Sequence, residues 1–320
     1  MAHTRDVAQD REELVKAFKQ GDEARARERV SRLGEGPRQV RLVLEAMLED
    51  SQGLVRQAGV FGLGEVGGAA SIQRLEQQLA IEEARGDYDA DAVVEEITRA
   101  LGRIEEVGAR ASLVRRLERM AKGKPERSDV YTLVHALWRR RHPDLVPAVK
   151  QSLEQLSLPA PHGLHGLGVL LEKSPEELQV WARDPAVPVE YKTEVLVVLE
   201  AEVPATLTAT LAAFIATARE LSEQTKAPND AAAYFCDCLF SLVLLHRERV
   251  LGAFSPESRS ELRMAARSLV VAPHNSLRAA VVLKLVGRAE DAALLDVHCP
   301  EDPTCAKVFR DAAQVLRELH

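Results

Sequence analysis

The stretch VRQAGVFGLGEVGG, residues 55–68, contains two signals that conflict within a single helix. Its apolar residues recur at helical spacing, but a glycine inside a helix costs about 1 kcal/mol relative to alanine. We predict that the helix forms because Gly59, Gly62 and Gly64 share one face, where small residues let a second helix approach closely. Gly67 and Gly68 are typical of the turn that ends a helix.

The same pattern recurs along the chain at intervals of about 30 to 43 residues, which is the range of helix-pair repeats. In the first copy, Val55 and Arg56 precede the small residues, and Leu63 precedes Gly64. Equivalent positions in later copies are occupied by Leu101, Gly102, Leu137, Leu167, Leu199, Leu242, Arg278, Leu285 and Leu316. No segment alternates between apolar and polar residues over the length of a strand, so we predict an all-α protein.

Residues 55–67 resemble the HEAT repeat, in the HEAT-like form found in phycobilisome lyases, whose pattern is V-R-x-x-A-A-x-A-L-G-x-I-G. Gly59 and Gly62 stand where that pattern has alanine. Residues 93–104 and 277–287 match it in part. The resemblance implies an α-solenoid, a superhelix of stacked HEAT-like helix pairs in which stacking creates a continuous core. We expect residues 1–34 to form an N-terminal helical cap and residues 35–320 to form a single elongated domain.

Composition restricts the classes of partner. The net charge is −7; residues 1–150 are neutral and residues 151–320 carry all of the excess negative charge. This balance disfavours a chain that wraps nucleic acid. The apolar runs are too short to cross a membrane, and the first 20 residues lack the apolar segment of a secretory signal. We therefore expect a cytoplasmic protein without membrane insertion.

The repeat pattern and the composition favour a non-catalytic scaffold or adaptor without a cofactor. We expect it to bind a partner protein of unknown identity in a concave groove. In a solenoid, such a groove is lined by exposed residues of the second helices. The candidate partner-binding residues are Gln73, Gln77, Arg115, Arg116, Arg119, Arg139, Arg140 and Arg141.

An alternative is a nucleic-acid-binding solenoid that resembles the alkylpurine DNA glycosylases. It would use the basic cluster at 115–141, which also includes Lys122, Lys124 and Arg127. If successive helix ends stack, these cations form one positive strip that could follow a phosphate backbone. Solvated helix ends explain the same residues more simply.

Metal sites are weaker candidates. His298, Cys299 and Cys305 are close in sequence, but the spacing of the two cysteines is unusual for a zinc site. Iron binding like that of HEAT-repeat deoxyhypusine hydroxylase would require His-Glu dipeptides, and no histidine of this chain precedes a glutamate. We therefore predict no enzymatic activity and no resident metal.

Overall fold

The computed structural model of the chain describes residues 7–123, 125–156, 162–224, 230–272 and 277–319, apart from the side chain of Arg127. The described residues form α-helices and short 3-10 turns and contain no strand. The prediction of an all-α fold is therefore confirmed. The chain divides into two units, Met1–Ser157 and Leu158–His320, and each has its own core.

Unit 1 contains nine described helices and one 3-10 turn, Pro143–Leu145, which leads into the last helix. The helices are α1 (Val7–Lys19), α2 (Glu23–Val30), α3 (Pro37–Met47), α4 (Gly53–Val66), α5 (Gly68–Arg85), α6 (Tyr88–Arg103), α7 (Val107–Lys122), α8 (Arg127–Arg139) and α9 (Val146–Gln155).

Unit 2 contains ten described helices, with 3-10 turns at Ala205–Leu207 and Leu251–Ala253. The helices are α10 (Leu164–Glu172), α11 (Pro175–Arg183), α12 (Val189–Leu199), α13 (Leu211–Ser222), α14 (Ala231–Leu245), α15 (Arg247–Val250), α16 (Pro256–Val271), α17 (Leu277–Val286), α18 (Asp291–Val297) and α19 (Pro303–Arg317).

Helix ends follow local sequence signals. Asp87 accepts the backbone N–H of Ala90 at the start of α6, and Ser174 caps α11 in a reciprocal pair with Glu177. These side chains satisfy N–H groups that have no partner inside the helix. At the other end, Gly86 takes a left-handed conformation after α5, where a residue with a side chain would be strained.

The helices of unit 1 form two layers. In one layer α4 packs on α6 and α6 on α8; in the other α5 packs on α7 and α7 on α9. The repeat pattern explains the first layer, because a Cβ on Gly64 would lie 2.9 Å from the Ala100 Cβ, and one on Gly102 would lie 2.9 Å from the Ala136 Cβ. Equivalent residues therefore make equivalent contacts in successive repeats.

Unit 2 is layered in the same way. One layer runs from α10 through α12, α14 and α17 to α19, and the other runs from α11 through α13 and α16 to α18. In both units, successive helices of a layer contact each other, which is the packing expected of a helical repeat. The predicted repeat architecture is thus present within each unit.

The spacing of the glycines in α4 predicted that they share one face of the helix, but they do not. A Cβ on Gly59 or Gly62 would meet Leu44 of α3, whereas one on Gly64 would meet Ala100 of α6. The prediction is wrong for Gly64 because α4 is contacted on two sides. Small residues on both sides let two neighbouring helices approach α4 closely, which offsets the low helix propensity of glycine.

The predicted repeat leucines are buried, with one exception. At most 1% of the surface is exposed in Leu63, Leu101, Leu137, Leu167, Leu199, Leu242 and Leu316. Leu285 is 39% exposed, and Leu283 is the buried leucine of α17 instead. The prediction is wrong for Leu285, which lies next to the last residue of α17, Val286, on the solvent side.

Candidate functional site

Two carboxylates of α5 pair with the three predicted arginines of α7. The guanidinium of Arg115 pairs with Glu76, and that of Arg116 pairs with Glu83. Arg119 lies 3.8 Å from the same Glu83. Each of these arginines therefore contacts the preceding helix of its own layer, and most of their positive charge is paired.

Arg116 corrects a sequence-based prediction. We expected it at an exposed position, but only 5% of its surface is accessible. Burial acts to lower the pKa of Arg116 and outweighs the opposing effect of Glu83 and Asp129. Its neighbour Arg115 is half exposed, because adjacent helix residues point about 100° apart.

The arginines at the end of α8 have three different environments. The side chain of Arg139 is exposed, Arg140 donates to the carbonyl of Ile104 at 3.3 Å, and Arg141 lies over the ring of Trp138 at 4.8 Å. With α7 paired to α5, the described arginines do not combine into one unpaired positive strip. Lys124 and the side chain of Arg127 lie outside the described residues.

Gln73 and Gln77 are exposed on α5, as predicted. They lie four residues apart and therefore share one face of the helix. The next residue, Gln78, is buried and donates to Glu82 at 2.6 Å. The two exposed amides are thus available at the surface, while the third belongs to the core.

A polar cavity that we call the α6–α8 cleft is the strongest candidate site in unit 1. Its volume is about 290 Å³. Its walls are formed by Glu23 of α2, by Glu95, Arg99 and Arg103 of α6, and by Ser128, Tyr131, Thr132, His135, Ala136 and Arg139 of α8.

Helical periodicity brings these side chains together. Glu95, Arg99 and Arg103 are spaced four residues apart, so they form a stripe along α6. Tyr131, His135 and Arg139 repeat the same spacing along α8. Since α6 and α8 are adjacent in one layer, the two stripes face a common groove. Tyr131, His135 and Arg99 were not predicted as site residues. Their four-residue spacing indicates a shared face within each helix, but not that the two faces meet.

Two of the three arginines in the cleft are already paired. Arg103 donates to Glu96 at 2.7 Å and lies 4.9 Å from the centre of the Phe61 ring. Arg99 donates to Glu95 at 2.7 Å. Arg139 makes no ion pair with any described residue. Among the described side chains that line the cleft, Arg139 is therefore the exposed cation without a carboxylate partner.

Aromatic side chains form the wall beside Arg139. The rings of Tyr131 and His135 lie 4.0 Å apart and are tilted by 50°. Both residues are partly exposed, whereas Thr132 below them is buried. The wall thus combines apolar ring surface with hydroxyl and imidazole groups, a mixture that suits binding of another protein's side chains.

A second cavity of about 760 Å³ lies between α1 and α3. Its lining is mostly aliphatic and includes Leu42, which is 59% exposed. Of the charged residues that line it, Arg11 and Asp50 pair with each other at 2.6 Å, and Glu12 is exposed. Because the rest of this lining is mostly aliphatic, the α6–α8 cleft offers the more specific chemistry.

Both units contain carboxylates with no exposed surface. Their partners are arginines and backbone N–H groups of neighbouring helices, so these carboxylates have a structural role. Glu82 of unit 1 accepts from Arg56, and Glu194 of unit 2 accepts the backbone N–H groups of His165 and Gly166. Asp291 accepts from Arg263 at 2.6 Å. Burial alone would raise the pKa of Asp291, but the hydrogen bonds from Arg263, the backbone of Arg288 and Arg267 lower it.

The cysteines are not arranged as a metal site. Among the described residues, no three His, Cys, Asp or Glu side chains are grouped closely enough to hold a metal ion, and this includes His298, Cys299 and Cys305. Cys236 and Cys238 are buried, and burial raises the pKa of each thiol to about 12. These two thiols are therefore poor nucleophiles and poor metal ligands near neutral pH.

The described helices include none that is both long and apolar enough to cross a membrane. No family model matches the chain, and no curated protein does. Among solved structures, an engineered protein is 15% identical and covers 97% of this chain and 98% of its own, with a TM-score of 0.28. A similarity this low supports no conclusion about fold or function.

Proposed function

We propose that this chain is a HEAT-like helical-repeat scaffold that binds a partner protein through unit 1. The α6–α8 cleft carries the proposal, because helices of one packed layer hold it open and its wall contains arginine and tyrosine. These two residue types are enriched among the residues that dominate binding energy at protein interfaces. A preformed surface also loses little conformational entropy on binding.

Charge pairing favours a protein partner over nucleic acid. A groove for a phosphate backbone needs several unpaired cations, since each neutralised phosphate contributes to affinity. On α7, Arg115, Arg116 and Arg119 are instead occupied by Glu76 and Glu83. The same proposal expects the protein in the cytoplasm, where its four free cysteines would stay reduced.

Affinity purification of the tagged full chain from its native cells, with and without nuclease, tests this proposal. We expect a stoichiometric, nuclease-resistant protein that Tyr131→Ala releases, because this change removes the tyrosine ring from the aromatic wall of the cleft. Tyr88→Ala is the matched control, since Tyr88 is 89% exposed and lies outside the cleft. Thermal unfolding of both variants checks that they remain folded.

Two results would contradict the proposal. Partners that all disappear on nuclease treatment would favour the nucleic-acid alternative. A partner that both tyrosine variants retain equally would move the interface away from the α6–α8 cleft.

A further inference from the structure

We propose that the α6–α8 cleft accepts the carboxylate side chain of an Asp or Glu of the partner, and that Arg139 holds it. This inference rests on the proposed function and specifies the chemistry of its site. The arginines of the cleft differ in their pairing. Arg99 and Arg103 have carboxylate partners, whereas Arg139 has none among the described residues.

The composition of the cleft suits an acidic side chain. Its volume of about 290 Å³ is large enough to admit the carboxylate end of an Asp or Glu side chain. An arginine guanidinium presents parallel N–H donors that match the two oxygens of a carboxylate. The hydroxyls of Ser128 and Thr132 lie on the same face of α8 and can donate to the same group.

The surroundings favour a singly charged anion. Glu23 and Glu95 also line the cleft. Glu23 accepts from Arg27 and Glu95 accepts from Arg99, so their charges are largely compensated. Among the described side chains, a single carboxylate would then balance the charge of Arg139, whereas a doubly charged anion would leave an excess of negative charge.

The test is a titration of the isotope-labelled full chain, followed by the NMR signals of the arginine Nε–H groups. The probes are N-acetyl-glutamate N-methylamide, its glutamine analogue and inorganic phosphate. We expect the glutamate derivative to shift the Arg139 signal in a saturable manner and the glutamine analogue to leave it unchanged. The saturable shifts elsewhere in the cleft should disappear in Arg139→Gln and persist in Arg38→Gln, whose arginine is also exposed and has no described ion pair.

The same two variants are compared for binding of the purified partner. Loss of one charge-assisted hydrogen bond predicts at least about a tenfold weaker affinity for Arg139→Gln and no change for Arg38→Gln. Absence of a saturable shift, an equal response to glutamine, or tighter binding of phosphate would overturn the proposal. A Tyr131-dependent partner that binds Arg139→Gln normally would refute the carboxylate contact and leave the scaffold proposal standing.

Discussion

Arg56 and Arg278 occupy equivalent positions in the repeat pattern, yet their environments are opposite. Arg56 is 2% exposed and donates to both oxygens of Glu82, at 2.8 and 3.2 Å. It also donates to the carbonyls of Asp50 and Ser51, so it ties the loop before α4 to α5. The side chain of Arg278 is 51% exposed and pairs with Asp237 of α14.

The second helices of the two repeats differ. Helix α5 has 18 residues, and Glu82 lies in its last turn, where it meets Arg56. Helix α18 has seven residues, and its first residue, Asp291, pairs with Arg263 of α16. The same repeat position is therefore buried where the second helix supplies a carboxylate and half exposed where the partner is Asp237 of α14.

The largest expected effect is at Arg56. Arg56→Met leaves the carboxylate of Glu82 buried without its main partner, which costs about 3–5 kcal/mol. We expect the lower end of this range, because Gln78 and Arg85 still contact Glu82. Arg278→Met removes an exposed pair and should cost at most about 1 kcal/mol. Urea unfolding followed by circular dichroism measures both changes.

A double variant sharpens this test. Arg56→Met combined with Glu82→Leu replaces the whole pair by apolar groups and should recover much of the lost stability. Equal losses for Arg56→Met and Arg278→Met would show that burial of the pair is irrelevant.

The second effect concerns a glycine packed against backbone. A Cβ on Gly166 would lie 2.3 Å from the carbonyl carbon of Glu194, so Gly166→Ala forces α10 and α12 apart. Overpacking of this kind costs about 1–3 kcal/mol. Gly252→Ala is the control, because a Cβ there has no atom within 4 Å. A stability change within about 0.5 kcal/mol for Gly166→Ala would contradict the close approach of the two helices.

The smallest effect is a pH dependence from unit 2. Burial lowers the pKa of His165 from its ordinary value of 6.5, and nearby Glu194 opposes the shift only partly. The stability from neutral His165 is therefore fully present above about pH 6.5 and is lost as the pH falls through the folded-state pKa. The ring of His165 stacks on that of Tyr191, with centroids 4.1 Å apart. His165→Phe keeps a ring in this position and should reduce the fall in melting temperature between pH 7.5 and 5.5.

His142→Gln is the control for that measurement, since His142 is exposed and lies in unit 1. We expect this variant to follow the pH dependence of the unmodified chain. If His165→Phe and the unmodified chain lost equal stability on acidification, the shift at His165 would be refuted.

The layer of α4, α6 and α8 was predicted well from the sequence, because small residues at one position of the repeat set its contacts. Gly64 and Gly102 recur at one position of the repeat, and each allows the next helix to approach at an alanine. Leucine periodicity similarly located the buried face of most helices. The pattern failed at Leu285, where the end of α17 leaves the residue facing solvent.

The candidate site was predicted only in part. Arg139 belonged to the predicted basic cluster, but the cluster as a whole does not form one surface. Tyr131 and His135 had no distinguishing motif, and only the packing of α6 on α8 brings them beside Arg99. Side chains that are distant in sequence converge through helix packing, which local spacing does not specify.

Helix periodicity and the positions of small residues along the chain were enough to predict an all-α fold, the intervals of its repeats and several of its close helix contacts. The burial of Arg116 beside a half-exposed Arg115 was not predictable in this way, nor was the lack of a described ion pair at Arg139. Burial and ion pairing depend on which neighbouring helix faces a residue, and that is set by the packing of helices that are distant in sequence.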